Sequence, residues 1–169
     1  MIQTMTTPKR VNFEDCDPFS HLNNANYLKY FLNAREKQLR ENKILDIFGH
    51  AQKTGNGWAV IAHDIRYLRP ARLGEELEIW SRMLTFDHPV NLVEFVMCNP
   101  TTGQLKSVMH SQFAYFSVKT AQPAPMDEEL THLFQKISLF SGQALGAFDL
   151  KERIPAIKGE IQARLSDKN

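Results

Sequence analysis

Residues 14–31 read EDCDPFSHLNNANYLKYF, with acids at 14, 15 and 17, a histidine at 21 and asparagines at 23, 24 and 26 ahead of an apolar-periodic run. Ser, Asp and Asn are the residues that begin helices, because their short polar side chains accept from the first free N–H groups. Beyond them Tyr27, Tyr30, Phe31 and Ala34 recur at helical spacing with Leu28 and Leu32 beside them, which predicts a largely buried helix from Asn24 to about Asn42. The crowd of polar residues has a second meaning. A helix N-terminus concentrates unpaired N–H donors and positive potential. A carboxylate held beside it is placed to attack, or to activate water against, whatever those donors polarise.

Upstream, a short β-like run spans Thr7 to Phe13. Downstream, four strand-like segments run over residues 58–68, 75–86, 91–98 and 105–118, divided by the turn signals RPARLG, DHP and NPTTG. Such short connections imply an antiparallel meander. In the first of these strands Ala59, Ile61, Ile65 and Tyr67 alternate with Trp58, Val60, Ala62 and Leu68. Both faces are therefore apolar, as in a sheet covered by its own helix on one side and by something else on the other. A connector, AQPAPMDEE, leads to a helix from Asp127 to about Phe140, the loop SGQALGAF, and a second helix from about Leu150 to Leu165. The order is α+β, with one long helix serving a whole sheet.

A chain of 169 residues is one domain's worth. With 20 Lys plus Arg against 19 Asp plus Glu the net charge is +1, and the basic residues are scattered, so no nucleic-acid partner is implied. The opening MIQTMTTPKR has no apolar signal core, and no later stretch approaches the roughly 20 apolar residues of a membrane span. A cytoplasmic protein is expected. Cys16 and Cys98 form no CxxC pair, and the six histidines show no HxH or HxxxH spacing, so neither a disulfide framework nor a metal site is expected.

The stretch FEDCDPFSHLNNANYLKYFLNAR, residues 13–35, resembles the signature of the hotdog-fold acyl-CoA thioesterases of the 4-hydroxybenzoyl-CoA thioesterase type: an acidic pair, a short turn and an Asn-Tyr-leading helix ending in Ala-Arg. A second stretch, IRYLRPARLGEELEI at 65–79, is similar to that family's second strand, turn and third strand. The resemblance runs from about Thr7 to Val118. It implies a hotdog fold, an antiparallel sheet wrapped around a central helix, over residues 1–141, with 142–169 a helical extension of the same domain. It also implies a homodimer or homotetramer. The implied activity is hydrolysis of an acyl-CoA, or of the related thioester on an acyl carrier protein. A non-catalytic acyl-thioester binder is a third reading.

By the same resemblance Asp17 matches the catalytic carboxylate, as nucleophile or general base, and the backbone N–H near Asn24 matches the donor that polarises the thioester carbonyl. His21 and Asn23 match an H-x-N-N variant that orients the loop or lines the pocket. No metal or cofactor is implied beyond coenzyme A in the substrate. Arg66, Arg69 and Arg72 lie around the second turn, where guanidiniums meet a phosphate bidentately. Asp15 competes with Asp17 as the reactive acid, although a hydrogen-bonded strand end suits it better. His63 and His110 fall in strands, from which either could approach a partner's Asp17. Cys16 reads as packing. The central helix offers Glu36 but no histidine, against a dehydratase of the same fold.

Overall fold

The computed structural model describes residues 4–167. Strand β1 (Met5–Arg10) leads through a 3₁₀ turn (Phe13–Asp15) to helix α1 (Asn24–Glu41) and a short helix α2 (Ile47–Thr54). Strands β2 (Asn56–Tyr67), β3 (Glu76–Asp87), β4 (Val90–Cys98) and β5 (Leu105–Ser117) follow, then helices α3 (Glu128–Ile137) and α4 (Leu150–Ser166). The long helix and the four later strands lie where periodicity placed them. The first strand ends earlier than expected, because residues 13–15 wind into the 3₁₀ turn.

The five strands form one antiparallel sheet in the order β1-β3-β4-β5-β2. The expected meander therefore holds only for β3 to β5; β2 pairs with β5 instead of β3. The reason lies in the segment 68–75, whose backbone is committed elsewhere. Leu68 and Arg69 N–H donate to the Lys106 carbonyl, Ala71 accepts from Leu22 N–H at 2.8 Å, and Leu73 N–H donates to Ser20 O at 3.0 Å. Extended, these residues span about 25 Å, ample for crossing three interstrand gaps of about 4.8 Å.

Alternation along the strands divides the core. Ile79, Val93, Phe95, Met97 and Met109 pack on Tyr27, Tyr30 and Phe31 of α1. On the opposite face Trp80, Val96, Cys98 and Val108 meet Leu150, Ile157 and Ile161 of α4. The second cover is thus the chain's own last helix. A third cluster, with Met83, Tyr115 and Phe134, closes the end of the sheet under α3. Expected two-sided burial fails in β2, where Val60 and Ile61 are 41% and 54% exposed. The strand is an edge.

Helix α2 has no counterpart in the periodicity. It is eight residues long and fully buries no residue; its caps define it, Asp46 accepting from Gly49 N–H and Gly55 closing it at φ 70°. On the outer face α4 is tied down by charge. Cross-strand neighbours Arg82, Glu94 and His110 stand in one row. Buried Glu94 accepts from Arg82 Nε at 2.8 Å and from Arg153 of α4 at 2.8 and 3.0 Å, with His110 Nε2 at 3.2 Å. Burial pushes the Glu94 carboxyl up, but bonds from His110 and Arg153 and the two guanidinium charges outweigh it and hold it well below the usual range.

Candidate active site

Residues 16–22 form a tight loop closed on itself. Asp17 N–H donates to His21 O at 2.7 Å, and Ser20, at φ 61°, donates to Asp17 O at 3.0 Å. Cys16 bridges Leu22, and His21 bridges Arg72 across the gap to the β2–β3 segment. The loop is held at the mouth of α1 because Asn23 N–H and the Asn26 side chain both donate to Asp15 O at 2.9 Å.

Within this frame the two aspartates have opposite settings. Asp15 is buried. Its Oδ2 accepts from Tyr30 OH at 2.7 Å and its Oδ1 from Lys29 Nζ at 3.3 Å. The Tyr30 bond, opposed by burial and helped by Lys29, holds its pKa below the ordinary value. The Tyr30 phenol is correspondingly pushed up, by burial and by that carboxylate. Asp15 is thus a strut between loop and helix. Asp17 is half-exposed. Its Oδ1 accepts from the backbone N–H groups of Phe19 at 2.9 Å and His21 at 3.0 Å. Among the described residues no donor meets Oδ2. One oxygen fixes the carboxylate and the other is available for chemistry.

Asn23 caps α1, its side chain accepting from Ala25 N–H at 3.0 Å. Asn24 opens the helix, and among the described residues its N–H has no acceptor, as first-turn donors lack partners within the helix itself. Its carbonyl accepts from Tyr67 OH at 3.2 Å, and Tyr67 meets Tyr27 edge-on at 5.0 Å. Sequence reasoning missed Tyr67 as a clamp on this helix end; an aromatic at the last position of a strand was the available signal. His21 stabilises the turn through its backbone, and its ring has no hydrogen-bond partner among the described residues.

The arginines do not form one cluster of free guanidiniums. Arg66 is ion-paired with Asp64 on its own strand. Arg72 lies beside the loop through the His21 bridge, and it and Arg69 are exposed with no ion pair among the described residues. His110 is locked on buried Glu94, so it cannot reach a partner's Asp17. His63 stays on the edge strand with Nδ1 2.8 Å from Ser111 Oγ, and burial lowers its pKa. Burial also pushes the Cys16 thiol up, with Asp17 and Asp15 adding to it, which suits packing rather than a nucleophile. Among the described residues no three His, Cys, Asp or Glu side chains converge as a metal site. No helix described is long and apolar enough to cross a membrane.

Comparison with known proteins identifies the family and the fold. Residues 11–134 match the model of the thioesterase-like superfamily. The long-chain acyl-CoA thioesterase FadM of Escherichia coli (strain K12) is 25% identical over 133 residues, covering 79% of this chain and 98% of that one. Among solved structures, a 1,4-dihydroxy-2-naphthoyl-CoA thioesterase from Synechocystis superposes with a TM-score of 0.70 at 14% identity, over 78% of this chain and 95% of the other. A DHNA-CoA thioesterase from Staphylococcus aureus gives 0.71 at 14%, over 79% and 90%. The fold is the hotdog fold.

Proposed function

The chain belongs to the thioesterase-like superfamily, and from that premise we propose that it hydrolyses acyl-CoA thioesters to the free acid and coenzyme A, with Asp17 as the working carboxylate. The observation that carries the assignment is the Asp17 carboxylate itself, anchored through Oδ1 by two backbone amides, with Oδ2 unbonded, in the loop that runs into the N-terminus of α1. The Asn24 N–H is the oxyanion donor, a role worth about 3 kcal/mol in other enzymes. Either Oδ2 takes a proton from water, which attacks the carbonyl carbon, or it attacks directly to give an acyl-aspartyl anhydride that water then opens. In both routes the C–S bond breaks and the CoA thiolate leaves and is protonated. No cofactor is required. Arg69 and Arg72 supply exposed positive charge beside the loop for the CoA phosphates.

Thiol release from a panel of acyl-CoA and acyl-carrier-protein thioesters tests this. Asp17→Asn is expected to lose about 100-fold or more in kcat/KM. Equal rates for both proteins would overturn the assignment. Single turnover in ¹⁸O-water tests the covalent route. Label in Asp17 shows that it is the nucleophile and that water opens the anhydride at the aspartyl carbon. Label in the acid alone fits water attack on the acyl carbon in either route, and trapping of the anhydride by hydroxylamine as an Asp17 hydroxamate then separates the two.

The domain comprises residues 1–141 with 142–169 as its extension, in which α4 covers the outer face of the sheet; its setting is the cytoplasm. Two chains pair through β2, whose outer edge has no neighbour in the sheet. Phe13 and Phe19 flank the loop at 80% and 79% exposure, consistent with a site that a second chain helps to close.

A further inference from the structure

Three cations lie buried among the described residues of this sheet and its central helix, and two are neutralised. Arg82 has Glu94 and Glu160, and Lys106 has Glu75 at 2.7 Å. Arg35, on α1 and 7% exposed, has no carboxylate. Its Nη1 donates to a neutral hydroxyl, Ser81 Oγ, at 3.2 Å. Burial draws its pKa down to about 10, so it remains charged at neutral pH. A buried charge without a counter-ion is costly, and proteins seldom keep one.

Arg35 borders a half-open cavity of about 110 Å³ between α1, α2, α3 and the sheet, with a wall made mainly of apolar side chains such as Leu39, Ile47, Phe113 and Phe134. Two further polar groups of residues in that wall, Trp58 Nε1 and Asn91 Oδ1, are buried without a hydrogen-bond partner among the described residues. A purely apolar void would need none of them. The three come from α1, β2 and β4, so no local structural duty explains their convergence.

We propose that this cavity binds a carboxylate carried on a short apolar stem. The guanidinium of Arg35 and Trp58 Nε1–H donate to the carboxylate oxygens, and turning the Asn91 amide about its axis presents a third donor. Cavities of about 150 Å³ accept the six carbons of benzene, so about 110 Å³ holds the carboxylate with one or two carbons, and the rest of a pentanoate-length stem lies in the open mouth. Arg35 lies about 16 Å along α1 from Asn24. The carboxylate is therefore that of a free short acid or the far end of a long acyl group; the binding claim does not depend on turnover.

Trp58 in the wall makes tryptophan fluorescence the readout. Pentanoate is expected to give a saturable change at least tenfold tighter than pentan-1-ol or pentylamine. Arg35→Met should keep its cooperative melt and lose that preference. Asn91→Asp, which supplies a carboxylate from within, should melt higher and weaken pentanoate binding, and it decides the matter if Arg35→Met fails to fold. Equal binding of acid and alcohol, undiminished binding by the variants, or no saturable binding overturns the proposal in favour of a water-filled void. Turnover of dodecanedioyl-CoA against lauroyl-CoA then identifies the source. A preference for the diacid that Arg35→Met abolishes supports the acyl end; pentanoate binding without that preference supports the free acid. Pentanoate binding by a protein that hydrolyses no thioester would sink the thioesterase reading and leave this one standing.

Discussion

Asp15 and Asp17 stand two residues apart, and their surroundings assign them different work. Asp15 spends both oxygens on α1, so removing its buried partner should cost stability and not chemistry. Tyr30→Phe is expected to lower unfolding free energy by about 1–3 kcal/mol, because it takes away one hydrogen bond from a buried carboxylate. At a temperature where the variant is folded, kcat/KM should stay within a few-fold of wild type, the reverse of the Asp17→Asn pattern. A large activity loss at full stability would instead make the Tyr30–Asp15 pair part of the reaction. Three depressed carboxyls, Asp15, Glu75 and Glu94, also set the acid limit of the fold. Each has a folded pKa below its ordinary value of 3.8 or 4.5. The native state therefore binds fewer protons than the unfolded chain as pH drops through that range. The stability they give is complete above those ordinary values and is lost as pH falls towards the folded pKa. Melting temperature measured from pH 7 down to pH 3 should dip slightly as pH falls through 6.5, because burial keeps His63 from charging as readily as in the unfolded chain. It should fall more steeply below about pH 5, and Glu94→Gln, already destabilised at pH 7, should show a shallower slope in the acid range.

Helix α4 behaves as part of the domain, because three features dock it at once. Its apolar face covers Trp80, Val96 and Val108, its Arg153 and Glu160 complete the Glu94–Arg82 row, and Arg164 lies 4.2 Å over the Trp80 ring. The β4–β5 turn admits it through Gly103, at φ 67°, where an added Cβ would come within 2.5 Å of Leu165. Ending the chain at residue 141 should expose Trp80, shift its fluorescence to the red and abolish a cooperative melt; a truncated chain that melts like wild type would show the helix to be dispensable. Elements of this kind were legible in the sequence to the extent that they bury an apolar stripe. Helix α1, strands β3 to β5 and the last helix all do, whereas α2 fully buries no residue and was missed. The place of β2 was not legible, since its short link to β3 resembles a hairpin until the backbone bonds of 68–75 are known. The buried ion cluster was missed, although single charges inside apolar strands, Arg82 and Glu94, were its available signal. In the site, the family resemblance pointed to Asp17, Asn23 and the Asn24 N–H, but nothing in the order of residues brings Phe19 and His21 amides onto one carboxylate oxygen. Nor could it bring Arg35, Trp58 and Asn91 to one cavity.

At the scale of the whole molecule, the two edges of the sheet are built differently. The β1 edge is six residues long and carries Pro8, with Lys9 and Arg10 at its end, devices that discourage further pairing. The β2 edge is twelve residues long and holds no proline; a bulge between Val60 and Ala62 leaves Ile61 without a strand partner, and Ile61 is exposed. A long apolar edge of this sort invites association with any strand unless it has a regular partner, and a second copy of the same edge is an antiparallel match by two-fold symmetry. Light scattering of the wild-type chain should therefore give the mass of a dimer or a multiple of it. Ile61→Lys puts like charges across the two-fold and should shift the mass towards the monomer, with little change in the fold because the side chain is already outside the core. If the second chain also closes the site, thioester hydrolysis by this variant should fall with the dimer fraction and recover at high protein concentration, while Asp17→Asn stays inactive at any concentration. A monomeric wild type, or an Ile61→Lys protein of unchanged mass, would remove β2 as the interface and leave its apolar edge to be covered by another partner.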